Sequence, residues 1–200
     1  MPLADATPFM NANLSFLPVM AMLSIACVLN GCQPPKAISP PVSDAAQSTR
    51  NNCCSLLHQL LGEQKDVSLL HFIKREHSDV KNLMKKIAVK SSAGAELLEE
   101  FARHDPSVRL DDLRLPPGEA ATREAIASTE KKELLGQTGD GFELALLLTQ
   151  TQALSYAWHL AKVAGEHESQ PDRARALSGV GEDMKNLYGE VFVMLLSKSK

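Results

Sequence analysis

Cys32 is the residue whose type and setting most clearly predict chemistry in this sequence. It follows Leu29, Asn30 and Gly31, which close an uncharged apolar stretch over residues 14–29. A membrane-spanning helix needs about 20 apolar residues, whereas the apolar part of a secretory signal takes about 7–15. Because a proline also interrupts the stretch, the sequence predicts an export signal that ends just before the cysteine.

Residues 29–32 resemble the processing site of bacterial lipoprotein signal peptides, in which Leu and small residues precede a cysteine. The resemblance implies that residues 1–31 are removed and that Cys32 becomes a first residue carrying lipid such as palmitate. Residues 24–27 are a weaker match, because no Leu stands three positions before Cys27. One feature differs from this class of signals: no Lys or Arg precedes the cysteine.

The resemblance also implies a location and a partner. A lipid on Cys32 would hold the protein to a membrane of the cell envelope. In Gram-negative lipoproteins an Asp directly after the lipidated cysteine favours the inner membrane, and this chain has Gln33 there. The implied location is therefore the periplasmic face of the outer membrane.

The segment after Cys32 has the composition of a tether. Residues 32–52 contain four prolines among Ser, Ala, Gln and Asn, and such segments bury too little apolar surface to fold. We therefore expect a signal peptide over 1–31, a disordered Pro-rich tether over 32–52 and one domain over 53–200. That length is ample for a single core.

The charge balance excludes one class of function. The chain has 21 Lys and Arg against 24 Asp and Glu, so no strongly basic face predicts a nucleic-acid partner.

Two adjacent cysteines, Cys53 and Cys54, open the predicted domain. The sequence leaves three alternatives open: a vicinal disulfide, a disulfide between chains in an oxidising compartment, or a buried reduced pair on a helix. Cys54 and His58 share a helical face, but a metal site needs three or four ligands. We therefore expect no metal there.

The domain is predicted to be helical almost throughout, because apolar residues recur at three- and four-residue steps. The predicted helices cover residues 52–61, 66–87, 93–103, 119–135 and 142–164, and a last one follows Pro171. Asp66 is expected to cap the second helix, and Gly62 to separate it from the first. Residues 142–164 are the most apolar and are expected to be central. Residues 166–168 are expected to form a solvated charge cluster in a turn.

The chain also resembles an uncharacterised family of exported ferritin-like helical domains. The residues that carry the resemblance are Asp66-Val67, Phe72, Glu76-His77, Leu83, Ala88, Leu115-Pro116, Gly141-Phe142-Glu143 and Gln150. With the helical pattern, this implies an all-α fold: an antiparallel four-helix bundle with short accessory helices. His77 is the one family histidine that carries over.

The spacing of the histidines argues against a di-iron centre of the ferritin-like type. A di-iron centre needs Glu-x-x-His pairs on two helices, and the residue three before each of the six histidines is never Glu. His77 falls on the predicted apolar stripe, so it is expected to be partly buried and hydrogen-bonded to Gln150 or Tyr188. The alternative left open is that His77 is a ligand of a metal ion or a haem.

No motif for nucleophilic catalysis or phosphate binding occurs, and the sequence predicts neither an enzyme nor a cofactor. We expect a lipid-anchored envelope protein that acts by interaction with an unidentified envelope protein. The alternative is a ferritin-like metal-binding or stress-related envelope protein.

Overall fold

The computed structural model describes residues 43–66 and 77–198, and these residues form an all-helical domain without strands. The helices are α1 (Asp44–Lys65), α2 (Ser78–His104), α3 (Pro117–Gly136), α4 (Gly139–Glu166) and α5 (Pro171–Lys198). The all-α prediction is confirmed for this part of the chain. Cys32 and the signal-peptide region lie outside the described residues.

Helix α1 begins earlier than the sequence predicts. The Oγ atom of Ser43 accepts a hydrogen bond of 3.2 Å from the backbone N–H of Ala46 and so caps the helix. The prediction of a disordered tether up to residue 52 is therefore wrong for residues 44–52. Arg50 and Asn51 in this stretch are buried. Their contacts with distant parts of the chain stabilise these first helical turns, although the residues are polar.

The end of α1 also differs. Gly62 lies inside the helix, and Asp66 is its C-terminal cap rather than the start of the next helix. The predicted helix over 66–87 falls partly on residues 67–76, which are outside the described part. Helix α2 begins at Ser78 and continues without a break through the predicted helix over 93–103.

The last three helices confirm the predicted ones to within a few residues, the usual uncertainty of helix ends. Helix α4 is central, because it packs against α1, α3 and α5, while α2 packs against α1 and α5. The largest fully buried side chains come from α1, α2, α4 and α5: Phe142, Leu57, Leu61, Met84, Ile87, Leu98, Leu146, Leu147, Leu154, Leu177, Met184 and Leu187. Helix α3 buries no residue and lies against α4 from outside.

None of the described helices has a stretch long and apolar enough to cross a membrane.

A close approach of three helices occurs at Gly94 of α2. A Cβ added there would lie 2.9 Å from Cδ1 of Leu61 in α1 and 3.4 Å from Cγ1 of Val180 in α5. Because Leu61 is fully buried, it has little room to move aside. The missing side chain at this position therefore lets the helices pack closely.

We expect Gly94→Ala to be less stable than Gly179→Ala by about 1–3 kcal/mol, the usual cost of overpacking a core. Position 179 is the matched control, because it is also helical and a Cβ there meets nothing within 4 Å. Both variants gain the same helix propensity, about 1 kcal/mol. Urea unfolding followed by circular dichroism measures the difference; equal stabilities would show that the packing at Gly94 is not tight.

Candidate functional site

Glu143, in the second turn of α4, is a buried carboxylate with only 1% of its side chain exposed. It accepts a hydrogen bond from the backbone N–H of His77. The ring Nδ1 of His77 lies 2.9 Å from Glu143 Oε1 and 3.0 Å from Oε2. The ammonium of Lys198 lies 2.7 Å from Oε2. The carboxylate thus joins residues from α2, α4 and α5.

Each partner is placed by a helix end. His77 is the N-terminal cap residue of α2 and has an extended backbone, so its N–H points away from the helix and is free to donate to Glu143. Lys198 is the last residue of α5. Asp140 in the first turn of α4 adds a second carboxylate. We call His77, Asp79, Asp140, Glu143 and Lys198 the Glu143 cluster.

The distances within the Glu143 cluster suit a shared cation. One ligand atom from each of His77, Asp140 and Glu143 lies within 4.8 Å of the other two. A cavity of about 350 Å³ adjoins them and is lined by Asp140, Gly141, Leu144 and Lys198. Asp79 Oδ2 lies 4.0 Å from the Lys198 ammonium.

Glu143 and Lys198 each favour the charged form of the other. Burial alone would raise the pKa of Glu143, but hydrogen bonds from Lys198 and His77 outweigh it and hold the pKa below its usual value. The pKa of Lys198 is raised by its hydrogen bond to Glu143 and by the charges of Glu143, Asp79 and Asp140. The buried group is therefore a carboxylate paired with an ammonium ion.

His77 and Gln150, which the sequence predicts to be hydrogen-bonded, are apart in the structure. His77 is not on a buried stripe: it precedes α2, its side chain is 65% exposed, and its partner is Glu143 rather than Gln150 or Tyr188. Gln150 is buried two turns further along α4, about 10 Å from Glu143 along the axis. Its Oε1 has no hydrogen-bond partner in the described part of the chain.

Glu143 carries a sequence signal that could have identified the cluster. It lies on the same stripe of α4 as Leu147, Gln150 and Leu154, all of which are buried. A lone acidic residue on an apolar stripe must be paired with a cation or a hydrogen-bond donor when buried. Its partners, in contrast, have no such signal, because they lie at helix ends far away in sequence.

A second group of charges, which are buried or half-buried and which we call the arginine cluster, consists of Arg50, Asp105, Glu168 and Arg173. The Glu168 side chain is 2% exposed and receives two hydrogen bonds of 3.0 Å from the Arg173 guanidinium. Arg50 Nη1 lies 3.4 Å from the same carboxylate, and Arg173 Nη1 lies 2.5 Å from Asp105. The expectation of a solvated charge cluster at 166–168 is therefore wrong for Glu168, which the two arginines hold inside.

The arginine cluster also fixes the segment after α2. Arg50 Nη2 and Asn51 Nδ2 donate to the backbone oxygen of Ser107, at 2.6 Å and 2.9 Å. Ser55 Oγ accepts from the N–H of Asp112 at 2.9 Å. These contacts hold α1, the segment after α2 and the α4–α5 turn together.

Cys53 and Cys54 lie beside the arginine cluster as free, buried thiols. Burial raises the pKa of Cys53, and it raises the pKa of Cys54 to about 12. Of the three alternatives that the sequence left open, the structure has the buried reduced pair. Thiols held protonated in this way are poor nucleophiles.

No protein family, curated protein or solved structure matches this chain. The resemblances to lipoprotein signals and to ferritin-like domains therefore remain predictions.

The arginine cluster predicts a pH dependence of stability. Hydrogen bonds from Arg173 and Ser107 lower the pKa of Asp105 from 3.8 to about 2. A carboxyl group with a lower pKa in the folded state stabilises the protein above the pKa of the unfolded state, and this stabilisation is lost as the pH falls through the folded value. Asp105→Asn should therefore cost about 1–2 kcal/mol at pH 6, and less as the pH falls from about 4 to 2.

Urea unfolding of both proteins across this pH range is the measurement. Asp111→Asn is the matched control, because Asp111 pairs with Arg109 on the surface, with 75% of the Asp111 side chain exposed, and should change stability little. A cost of Asp105→Asn that does not vary with pH would contradict the assigned pairing.

Proposed function

We propose that this chain is a lipid-anchored helical protein of the cell envelope that acts by binding a partner rather than by catalysis. The observation that carries the proposal is the sequence Leu29-Asn30-Gly31-Cys32 at the end of an apolar stretch. Acyl chains contribute about 0.8 kcal/mol per buried methylene, so two or more chains anchor a protein stably.

The start of α1 limits how far the domain reaches from the bilayer. Asp44, where α1 begins, is twelve positions after Cys32. A fully extended chain of this length spans at most about 40 Å. An anchored domain would therefore work close to the membrane surface.

We further propose that α1, α2, α4 and α5 form an antiparallel four-helix bundle of the ferritin-like type. The two charge clusters support it. The Glu143 cluster joins the starts of α2 and α4 to the end of α5. The arginine cluster joins the first half of α1 to the segments that follow α2 and α4 and to the start of α5. These contacts support a bundle in which α1 and α5 run in one direction and α2 and α4 in the other, so that each packed pair among the four is antiparallel.

The late part of α5 is the proposed contact surface for a partner. Phe192, Val193 and Leu196 are large apolar residues that remain exposed there. Val193 also lines a groove of about 900 Å³ between α2 and α5. Contiguous exposed apolar side chains are typical of interaction surfaces.

Lipid attachment is tested by expressing the full chain in a Gram-negative host with a clickable palmitate analogue. We expect the wild type and Cys27→Ser to carry the label, to sediment with the membranes and to begin at Cys32 by mass spectrometry. Cys32→Ser should lose the label and keep residues 1–31. Label on Cys32→Ser, or a wild type that retains residues 1–31, would exclude this anchor.

Partner binding is tested with a photo-cross-linking residue at position 193 or 89 of the full chain in cells. Val193 and Val89 are equally exposed, at 68% and 67%, but only Val193 lies in the groove. We expect a discrete cross-linked species from position 193 and none from 89. Equal products from both positions would mean that contacts are unspecific.

A further inference from the structure

We propose that His77, Asp140 and Glu143 form a binding site for a divalent transition-metal ion, with Zn²⁺ as the ion to test. The ligand atoms lie within 4.8 Å of one another, and they come from the cap of α2 and the first two turns of α4. The inference goes beyond the proposed anchoring function and does not depend on a lipid at Cys32.

The charges around Glu143 are not balanced. Asp79, Asp140 and Glu143 supply three negative charges, and all three act on one ammonium, that of Lys198. One positive charge therefore faces three negative ones. A divalent cation supplies the missing charge, whereas a helix-end ion pair alone would need only one carboxylate.

The ligand types select among cations. Imidazole nitrogen with two carboxylates is a set that Zn²⁺ accepts, at distances of about 2.0–2.2 Å. Mg²⁺ and Ca²⁺ prefer oxygen ligands only. The Nδ1 atom of His77 lies 2.9 Å from Glu143 Oε1, so it is within reach of an ion bound to the same carboxylate. The adjoining cavity of about 350 Å³ has room for a water as fourth ligand.

Lys198 competes with the metal for the same carboxylate. Its ammonium lies 2.7 Å from Glu143 Oε2, where a bound cation would come close enough to repel it. Lys198 sits at the end of α5 with its side chain 20% exposed, so it can swing outwards into water and keep its charge. Removal of this competitor should therefore strengthen metal binding.

This competition separates a metal site from a simple ion pair. If Lys198 and Glu143 were only a structural pair, Lys198→Met would remove the ammonium that balances the buried carboxylate and destabilise the protein, and added Zn²⁺ would not restore the stability. If the site binds metal, Zn²⁺ should restore the stability, because the ion replaces the missing charge.

The experiment is isothermal titration of Zn²⁺ into the purified, chelator-treated full chain, with thermal unfolding in parallel. We expect one ion per chain at this site, with affinity reduced roughly tenfold or more in His77→Ala and Asp140→Asn. In Lys198→Met the affinity should rise roughly tenfold or more, and Zn²⁺ should raise the unfolding temperature more than in the wild type. Mg²⁺ and Ca²⁺ should not compete.

Matched controls are available on the same fold. His104→Ala removes another exposed histidine, one bonded to a helix carbonyl. Asp172→Asn removes the acidic residue in the first turn of α5, as Asp140→Asn does in α4. Both controls should bind Zn²⁺ like the wild type. Circular dichroism checks folding, and Lys198→Gln replaces Lys198→Met if the latter does not fold.

Three results would overturn the proposal: no Zn²⁺ binding by the wild type, binding that His77→Ala and Asp140→Asn leave unchanged, or weaker binding in the Lys198 variants. Because lipid labelling at Cys32 is read independently, failure of the metal site and failure of the anchor would be distinguished.

Discussion

The arrangement of the domain depends most on the ion pairs that the buried carboxylate of Glu168 forms with two arginines. Arg173 binds it with two hydrogen bonds, and Arg50 reaches it from α1. Removing one partner from such a buried group typically costs about 3–5 kcal/mol, because the remaining charge is left without compensation. The contact therefore fixes the turn between α4 and α5 to the first half of α1 and, through Asp105, to the end of α2.

A second buried glutamate, Glu143, lies near the other end of α4, and its surroundings differ from those of Glu168. Glu143 and Glu168 are separated by about 35 Å along the helix axis. Around Glu168, two guanidinium ions face two carboxylates, so the charges cancel. Around Glu143, a single ammonium faces three carboxylates. The charges of the first cluster are balanced, whereas the second has more carboxylates than cations, and the proposed metal site is based on this difference and on the distances between its ligand atoms.

The helices of this chain follow from local sequence, and their ends follow less well. The apolar repeats identified α3, α4 and α5, because proline and glycine residues mark their boundaries. The start of α1 was missed, since residues 44–52 are polar and prolines precede them, and only the cap by Ser43 and the contacts of Arg50 and Asn51 show why they are helical. His77 was assigned to a helix face because the apolar repeat runs through it, but α2 begins one residue later.

The sequence by itself determined that the described chain is helical, that α4 is central, and that Cys32 is the candidate for lipid attachment. Only the tertiary structure decided which charges are buried and which residues meet. The physical reason is range: helical periodicity is set by residues three and four positions apart. The pairs that define the two clusters join residues 66 positions apart at His77 and Glu143, and 118 positions apart at Arg50 and Glu168. Such pairs form only once the helices pack, and local sequence patterns do not predict them.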